Sequence, residues 1–392
     1  MPSTRVFVHI GPLKTGTTFL QSVLVQNKQA LAVNGVLFPR QTYALQIKST
    51  LDLLHKRMHP ESTGNPGQWD ILSEEVRTWP GDTVVISQEF LCAASSAQAK
   101  RMVESLAPAE VHIVHTARDL TKVIPAMWQT HLRNKQPLSW DEYISSARHP
   151  SAGGAQWGRR LWRQQDPAQV LPPFEAVVPR EHVHVVTVPP AASSPELLWE
   201  RFCSVVGLEP GAYDSDVPRA NTSLGAAEAE VLRRVNQGVA GRIDGPTYSR
   251  LVKFMLARDV LEHSGNAIKL ELPAQDYAWV TEKAHEIVEY LRRNEYEITG
   301  DLKEILPAPG ATGSETRPDD VDPLAVSEVA NAALVEVLVA SARGRGRGKR
   351  RGRGLKAGPL AGPVGSKSAG PRAGSNRATR ALRRRMRHLR HR

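Results

Sequence analysis

The sequence predicts an α/β fold in three layers, with a parallel central sheet and helices on both of its faces. Short apolar runs rich in β-branched residues alternate with stretches whose apolar residues recur at helical spacing. Strands that are separated by helices pair in parallel and need helices on both faces. A loop with two glycines follows the first apolar run, at the carboxyl edge where such sheets bind ligands.

Four apolar runs are predicted to form the strands of this sheet. They cover residues 5–10, 83–87, 110–116 and 182–188. Between them, helical spacing predicts helices over residues 17–33 and 95–106. Ser139 and Glu142 have the spacing of a capping box, which begins another helix. Ser194 begins a further helix, because a proline follows it at the first helical position.

The pattern becomes mainly helical after residue 221, so residues 1–306 are predicted to form one α/β domain with a helical C-terminal part. The later predicted helices cover residues 223–236, 246–263 and 276–293. Residues 307–323 are predicted to form a linker by their Pro, Gly and Asp content. An isolated apolar helix is expected over 324–342, followed by a largely disordered Arg/Gly-rich tail over 343–392.

The charge of the chain is divided unevenly between the body and this tail. The formal net charge is +11, but residues 343–392 hold 18 Lys and Arg and no Asp or Glu. The remaining 342 residues hold the other 33 basic residues and all 40 acidic ones, a net charge of −7. The tail is therefore predicted either to make non-specific contacts with polyanions, such as nucleic acid or an anionic membrane, or to be a solubilising extension with no dedicated partner.

The start of the chain and its cysteines indicate a cytoplasmic protein. No secretory leader and no unbroken apolar stretch of spanning length are evident, which predicts a cytoplasmic location. Cys92 and Cys203 are far apart in the chain and lie in apolar contexts. Two cysteines are too few for a cysteine-based zinc or iron–sulfur site. No His, Asp or Glu cluster has metal-ligand spacing, and a metal-free site is expected.

The stretch "HIGPLKTGTTFLQ", residues 9–21, has the form of a phosphate-binding loop with an altered lysine position. Triphosphate-binding loops read G-x-x-x-x-G-K-[ST], with lysine directly after the second glycine. Gly11 and Gly16 keep that glycine spacing, but Thr17 occupies the lysine position and Lys14 precedes Gly16. Backbone N–H groups, the hydroxyls of Thr17 and Thr18 and a helix N-terminus suit an oxyanion. The sheet is therefore predicted to be of the P-loop nucleotide-binding type.

The segment "PLKTGTTFLQ" resembles the 5′-phosphosulfate loop of sulfotransferases that use 3′-phosphoadenosine 5′-phosphosulfate (PAPS). The resemblance implies a sulfotransferase that takes PAPS as its co-substrate and requires no metal. The cofactor-binding residues that it implies in the loop are Lys14, Thr15, Gly16, Thr17 and Thr18. Lys14 is expected to be catalytic as well, as the cation on the bridging oxygen that leaves.

The same resemblance implies a 3′-phosphate site after a middle strand. Arg118 directly follows the strand residues "VHIVHTA". The resemblance gives it the role of the family's phosphate-binding arginine. The family's serine eight residues later is replaced by Ala126, and Gln129 or Arg133 on the same predicted helix can substitute for it. Arg219, in the loop "VPRANTSLG", is the candidate from the family's third binding segment.

Glu89, just beyond the second predicted strand, is the candidate general base for the acceptor, and His115 and His131 are alternatives. The acceptor is expected to be a hydroxyl or amine of a carbohydrate or small metabolite, and its identity is open. Four tryptophans fall where the family binds acceptors, either as stacking platforms or as core residues: Trp128, Trp140, Trp157 and Trp162.

Two other functions remain alternatives to the sulfotransferase. A nucleotide kinase or NTPase of the P-loop type would bind Mg-ATP at the same loop, although the lysine after Gly16 is missing. A non-catalytic scaffold with a polyanion-binding tail would explain Ala126 in place of the expected serine. The oligomeric state is open.

Overall fold

The computed structural model describes residues 4–57, 64–194, 196–218, 223–264 and 270–351. Arg219 and the tail beyond residue 351 lie outside the described residues. Contacts divide the chain into two compact units, residues 1–340 and 341–392. The sheet, the loop and the candidate site residues that the structure describes all belong to the first unit.

The fold is α/β with a six-stranded, all-parallel central sheet, which confirms the predicted class. The strand order is β2-β3-β1-β4-β5-β6. The strands are β1 (Arg5–Gly11), β2 (Val36–Leu37), β3 (Thr83–Ser87), β4 (Glu110–Ala117), β5 (Val183–Thr187) and β6 (Glu297–Thr299). The four predicted strands are present, while β2 and β6 are too short to leave a periodic signal.

Both faces of the sheet are buried under helices. Successive side chains of β1 point to opposite faces, so Val6 and Val8 join one apolar cluster and Phe7 joins another. A parallel sheet covered on both sides reads as nearly continuous apolar runs. Cys92 and Cys203 are free, buried thiols in different clusters.

Fifteen α-helices are described around and after the sheet. They are α1 (Thr17–Gln26), α2 (Lys28–Val33), α3 (Tyr43–Leu53), α4 (Gln68–Arg77), α5 (Ser96–Leu106), α6 (Leu120–Arg133), α7 (Trp140–Arg148), α8 (Gln156–Gln165), α9 (Pro167–Val170), α10 (Pro172–Glu175), α11 (Glu196–Val206), α12 (Ala226–Val239), α13 (Gly245–Tyr248), α14 (Ala274–Arg293) and α15 (Pro323–Arg351). A π-helix covers Ser249–Val260, and 3₁₀ turns cover Glu89–Ala93, Arg180–His182, Pro210–Ala212, Leu261–His263 and Leu302–Ile305.

The sheet register places three strand ends around the loop after β1. His9 pairs with Ser87 of β3, and Gly11 pairs with His115 of β4. The chain leaving β3 reaches Glu89 two residues later, and the chain leaving β4 reaches Arg118 one residue after its last strand residue. The carboxyl edge of the sheet therefore brings the loop between the segments that follow β3 and β4.

Residues 307–323, predicted to be a linker, make defined contacts with the domain. Ser314 forms a bridge with Pro273. The Asp319 carboxylate accepts hydrogen bonds from the backbone N–H groups of Trp140 and Asp141, both at 2.9 Å. The first turn of α7 is thus capped by a carboxylate nearly 180 residues later in the chain.

The helix α15 is longer than the predicted 324–342 and is not detached from the domain. Val326 and Ala333 are buried and pack into the apolar cluster that also contains β1 side chains. Its segment Pro323–Ala342 has a mean hydropathy of 1.6 and is long and apolar enough, by length and composition alone, to cross a membrane. No unbroken apolar stretch of spanning length was expected from the sequence.

Candidate active site at the carboxyl edge of the sheet

The loop between β1 and α1 turns through three left-handed residues. Gly11, Lys14 and Gly16 have φ angles of 81°, 69° and 85°. Glycine adopts this region at little steric cost, whereas a lysine seldom does. Non-glycine residues in such conformations concentrate at functional sites, where the surrounding structure holds them.

Gly11 and Gly16 lie where neighbouring segments pack closely against the loop. A Cβ atom on Gly11 would lie 2.8 Å from the Cβ of Glu89, and one on Gly16 would lie 2.4 Å from Cδ2 of Leu198. Real Cβ atoms do not approach so closely, so neither position accepts a side chain without a shift of its neighbour. The loop is therefore packed between the 3₁₀ turn after β3 and helix α11.

Four contacts hold the loop backbone from within and from β4 and α8. The Thr15 hydroxyl donates to the Pro12 carbonyl at 2.5 Å, and the Thr116 hydroxyl lies 2.5 Å from the same Thr15 oxygen. Since the single Thr15 proton goes to Pro12, Thr116 donates to Thr15. Gln165 Nε2 donates to the Leu13 carbonyl at 2.9 Å, and Arg118 Nη1 donates to the Lys14 carbonyl at 2.8 Å. The Thr15 hydroxyl therefore shapes the loop.

The N-terminus of α1 is open toward the loop. Gly16 provides no side-chain cap, and the first turn contains no acidic residue. Within the described residues, no acceptor receives a hydrogen bond from the backbone N–H groups of Thr17 and Thr18. Free amide donors at the positive end of a helix dipole bind oxyanions.

Lys14 is a half-buried cation inside this loop. Burial, together with the charges of Arg133 and Arg118, lowers its pKa to about 8, while Glu262 and Glu89 act in the opposite direction. A bound anion close to the Lys14 ammonium would favour its protonated form.

Arg118 has donors left after its contact with the loop. Burial lowers its pKa and the charge of Asp119 opposes that shift. The Asp119 carboxylate instead caps α6, accepting from the Thr121 N–H at 2.8 Å. Apart from the Nη1 bond to Lys14, the described residues provide no acceptor for the Arg118 guanidinium. Its remaining N–H groups are available to an anion.

Glu89 is held by two side chains that the sequence analysis did not identify. Its Oε2 accepts hydrogen bonds from Gln21 Nε2 at 2.7 Å and from the Tyr43 hydroxyl at 3.3 Å. Burial and the Glu89 charge raise the pKa of Tyr43, so the phenol stays protonated and donates. In the part of the chain that the structure describes, Oε1 of Glu89 has no hydrogen-bond partner. That oxygen is the one available to accept a proton.

The two histidines that were alternatives to Glu89 are enclosed. His115 and His131 are 1% and 4% exposed. Burial lowers the pKa of His115 to about 3 and, together with Arg160, lowers that of His131 to about 4. Both are weak, neutral bases at pH 7, and an acceptor substrate does not reach side chains buried to this extent.

The other candidate residues lie farther along α6 or outside the described residues. Gln129 is buried, and its Oε1 accepts from the Leu224 N–H at 3.0 Å. It therefore holds the backbone that follows the loop of Arg219, and Arg219 itself is not described. Arg133 Nε lies 2.7 Å from Glu262 Oε1.

Three of the four tryptophans are core residues. Trp128, Trp140 and Trp162 are buried, and each indole N–H donates to a protein oxygen. Trp157 is half-buried, stands edge-on to His131 at 5.0 Å, and lines an open cleft of about 440 Å³. Of the predicted stacking platforms, Trp157 alone has an exposed face in the described structure.

Comparison with known proteins gives few matches. No protein-family model and no curated protein matches the chain. Among solved structures, the crystal structure of a sulfotransferase from Alicyclobacillus acidocaldarius is similar to it, with a TM-score of 0.34 and 16% sequence identity. The alignment covers 64% of this chain and 99% of that one.

Proposed function

We propose that the chain transfers a sulfuryl group from PAPS to a hydroxyl or amine of an acceptor. The observation that carries the proposal is the position of Lys14 and Glu89 about one anion-binding loop. Lys14 lies within the loop ahead of Gly16, and Glu89 packs against Gly11, close enough for its charge to act on the Lys14 pKa. A cation and a carboxylate close to one candidate anion site suit in-line group transfer.

The loop would hold the 5′-phosphosulfate of the donor. The open N–H groups of Thr17 and Thr18 face an oxyanion at the helix N-terminus. Thr18 is exposed and offers its hydroxyl, whereas the Thr15 hydroxyl is occupied by Pro12 and Thr116. Backbone donors fixed before the reaction stabilise charge without reorganisation.

The transfer step forms one bond to sulfur, breaks another and transfers one proton. The acceptor oxygen or nitrogen attacks sulfur, and the bond from sulfur to the bridging oxygen breaks on the opposite side. The electron pair stays on the 5′-phosphate oxygen, where the Lys14 ammonium stabilises the developing charge. The acceptor proton passes to Oε1 of Glu89, while Gln21 and Tyr43 hold Oε2.

Arg118 would bind the 3′-phosphate with the guanidinium N–H groups that it does not use on Lys14. It is half-buried and fixed by the loop carbonyl, which lowers the entropy lost on binding. Gln129 would act through the backbone of Leu224, as a positioning residue for the segment that contains Arg219. The acceptor class, the cytoplasmic location and the domain boundaries remain predictions.

Binding of three nucleotides tests the proposal. We expect 3′-phosphoadenosine 5′-phosphate to bind in calorimetry and raise the Tm of the full chain, adenosine 5′-phosphate to bind more weakly, and Mg-ATP to have little effect. Lys14→Ala should reduce the transfer rate about 10²–10³-fold, because it removes one preorganised charge. Lys122→Ala, at an exposed position of α6, is the matched control. Preferential binding of Mg-ATP would contradict the proposal and favour a kinase or NTPase.

A further inference from the structure

Three polar side chains meet at the amino edge of the sheet, opposite the loop. Glu110 is the first residue of β4, His112 lies two residues on, and His182 directly precedes β5. We call them the amino-edge cluster. Their spacing in the sequence gives no metal-ligand signal, because these residues lie 2 and about 70 positions apart in the chain and meet only through the pairing of β4 with β5.

The donor atoms of the amino-edge cluster have the separations of a metal-binding set. Glu110 Oε1 lies 2.8 Å from His112 Nε2 and 3.6 Å from His182 Nε2. All three donor atoms lie within 4.8 Å of one another. Ligands at about 2.1 Å from a tetrahedral zinc ion lie about 3.4 Å apart, which is comparable with these separations. The His112 and His182 rings are tilted by 30° with their centroids 4.2 Å apart, so both rings turn when their Nε2 atoms bind one ion.

A second layer of side chains supports His112. Its Nδ1 lies 3.0 Å from Nε2 of His184, and His184 Nδ1 lies 2.7 Å from Oε2 of Glu297. The Phe7 ring stacks on His112 with centroids 4.7 Å apart. A metal-ligating histidine usually donates its second ring N–H in this way, which fixes its tautomer and orientation.

We propose that Glu110, His112 and His182 bind one zinc-class divalent cation, with His184 and Glu297 as its outer hydrogen-bonding partners. Two imidazoles and a carboxylate are ligands that zinc prefers. The Glu110 and His182 side chains are 39% and 21% exposed, so solvent completes the coordination. The ion would join the starts of β4 and β5, and its role is structural. No residue is shared with the loop site, so this proposal is independent of the sulfotransferase one.

Zinc titration of the metal-free full chain tests the site. We expect one zinc ion per chain in calorimetry, a tetrahedral Co²⁺ absorption spectrum, and a higher Tm with zinc than with chelator. His182→Gln and Glu110→Gln should each weaken zinc binding by more than about 100-fold, and His184→Gln by about 10–100-fold. His182 lies in a surface turn, so its variant is expected to fold, and far-UV circular dichroism checks this.

Two control variants make the result decisive. His285→Gln changes an exposed histidine of α14 and should leave zinc binding unchanged. A His388→Gln/His391→Gln double variant removes the two histidines near the end of the tail and should also bind normally. Unchanged affinity in both His182→Gln and Glu110→Gln, or loss of binding in the tail variant, would overturn the proposal.

Discussion

The guanidinium of Arg118 donates a hydrogen bond to the backbone carbonyl of Lys14, at 2.8 Å. This contact links the end of β4 to the middle of the loop after β1. The proposed 3′-phosphate residue therefore also fixes the residue proposed to act on the leaving oxygen. In the proposed function, binding at one end of the nucleotide and chemistry at the other would therefore depend on one structural element.

Arg118→Ala should weaken 3′-phosphoadenosine 5′-phosphate more than adenosine 5′-phosphate. A hydrogen bond to a charged group contributes about 1.5–3 kcal/mol, or about 10–150-fold in the dissociation constant. A smaller loss is expected for adenosine 5′-phosphate, because the Lys14 carbonyl loses its partner in both complexes. Calorimetry with both nucleotides measures the difference, with Arg159→Ala as an exposed control. Equal losses for the two would contradict the 3′-phosphate assignment.

The rate should fall in alkaline solution because Lys14 loses its proton. Its pKa is lowered to about 8, so the ammonium form is complete well below that pH and disappears as the pH rises through it. We expect kcat/KM to fall about tenfold per pH unit above this value, since that ratio reports ionisations of the free enzyme. Lys14→Arg stays charged and should move the decline beyond about pH 10. A wild-type profile that is flat to pH 9.5 would exclude a required ammonium at Lys14.

Glu89→Gln should abolish transfer and leave nucleotide binding intact. Loss of a general base reduces rates by about 10²–10⁴-fold, while the amide keeps the size of the side chain. Tyr43→Phe removes one donor to Oε2 and should reduce kcat by a smaller factor without changing nucleotide affinity. Single-turnover rates and calorimetry separate these effects. A fully active Glu89→Gln variant would contradict the assignment of Glu89 as the general base.

Gly16→Ala should destabilise the domain more than Gly35→Ala. Both glycines are left-handed, with φ of 85° and 78°, but a Cβ on Gly35 meets no atom within 4 Å. Gly35→Ala therefore costs only the backbone term, about 1–2 kcal/mol. Gly16→Ala adds overlap with Leu198, about 1–3 kcal/mol more. Urea unfolding measures both, and Leu198→Ala should recover part of the difference. An equal loss in the free energy of unfolding for the two glycine variants would show that the Leu198 side chain moves aside without an energetic penalty.

Removal of residues 343–392 should abolish most low-salt adhesion to DNA or anionic vesicles. The deleted segment holds 18 positive charges and no negative ones, and such binding weakens steeply with salt. The truncated chain should keep its affinity for 3′-phosphoadenosine 5′-phosphate, because the described site residues lie in the first unit. Aggregation or loss of nucleotide affinity after truncation would place the domain boundary elsewhere.

The candidate site residues that the sequence suggests are local features of the chain. Gly11, Lys14 and Gly16 are a short motif, and Glu89 and Arg118 follow apolar runs that became β3 and β4. The support of these residues depends on contacts between distant segments, which periodicity and spacing do not contain. Tyr43 is 46 residues from Glu89, and Thr116 is 101 residues from Thr15.

The amino-edge cluster was missed for the same physical reason. Alternation along a strand places Glu110 and His112 on one face, and this was visible in the sequence. The third member, His182, depends on the pairing of β4 with β5. The strands β2 and β6 and the contacts of residues 307–323 were missed because short or polar segments take their structure from the surfaces that they pack against.

The cap that Asp319 provides to α7 has a consequence for synthesis of the chain. Trp140 and Asp141, whose N–H groups it accepts, are made long before residue 319 leaves the ribosome. The Trp140 indole N–H donates to Asp276 at 3.1 Å, and this hydrogen bond also cannot form until residue 276 has been synthesised. A nascent chain that contains the whole sheet through β6 therefore still has α7 without this cap. The middle of the domain reaches its final hydrogen bonding only when its last segment has been translated.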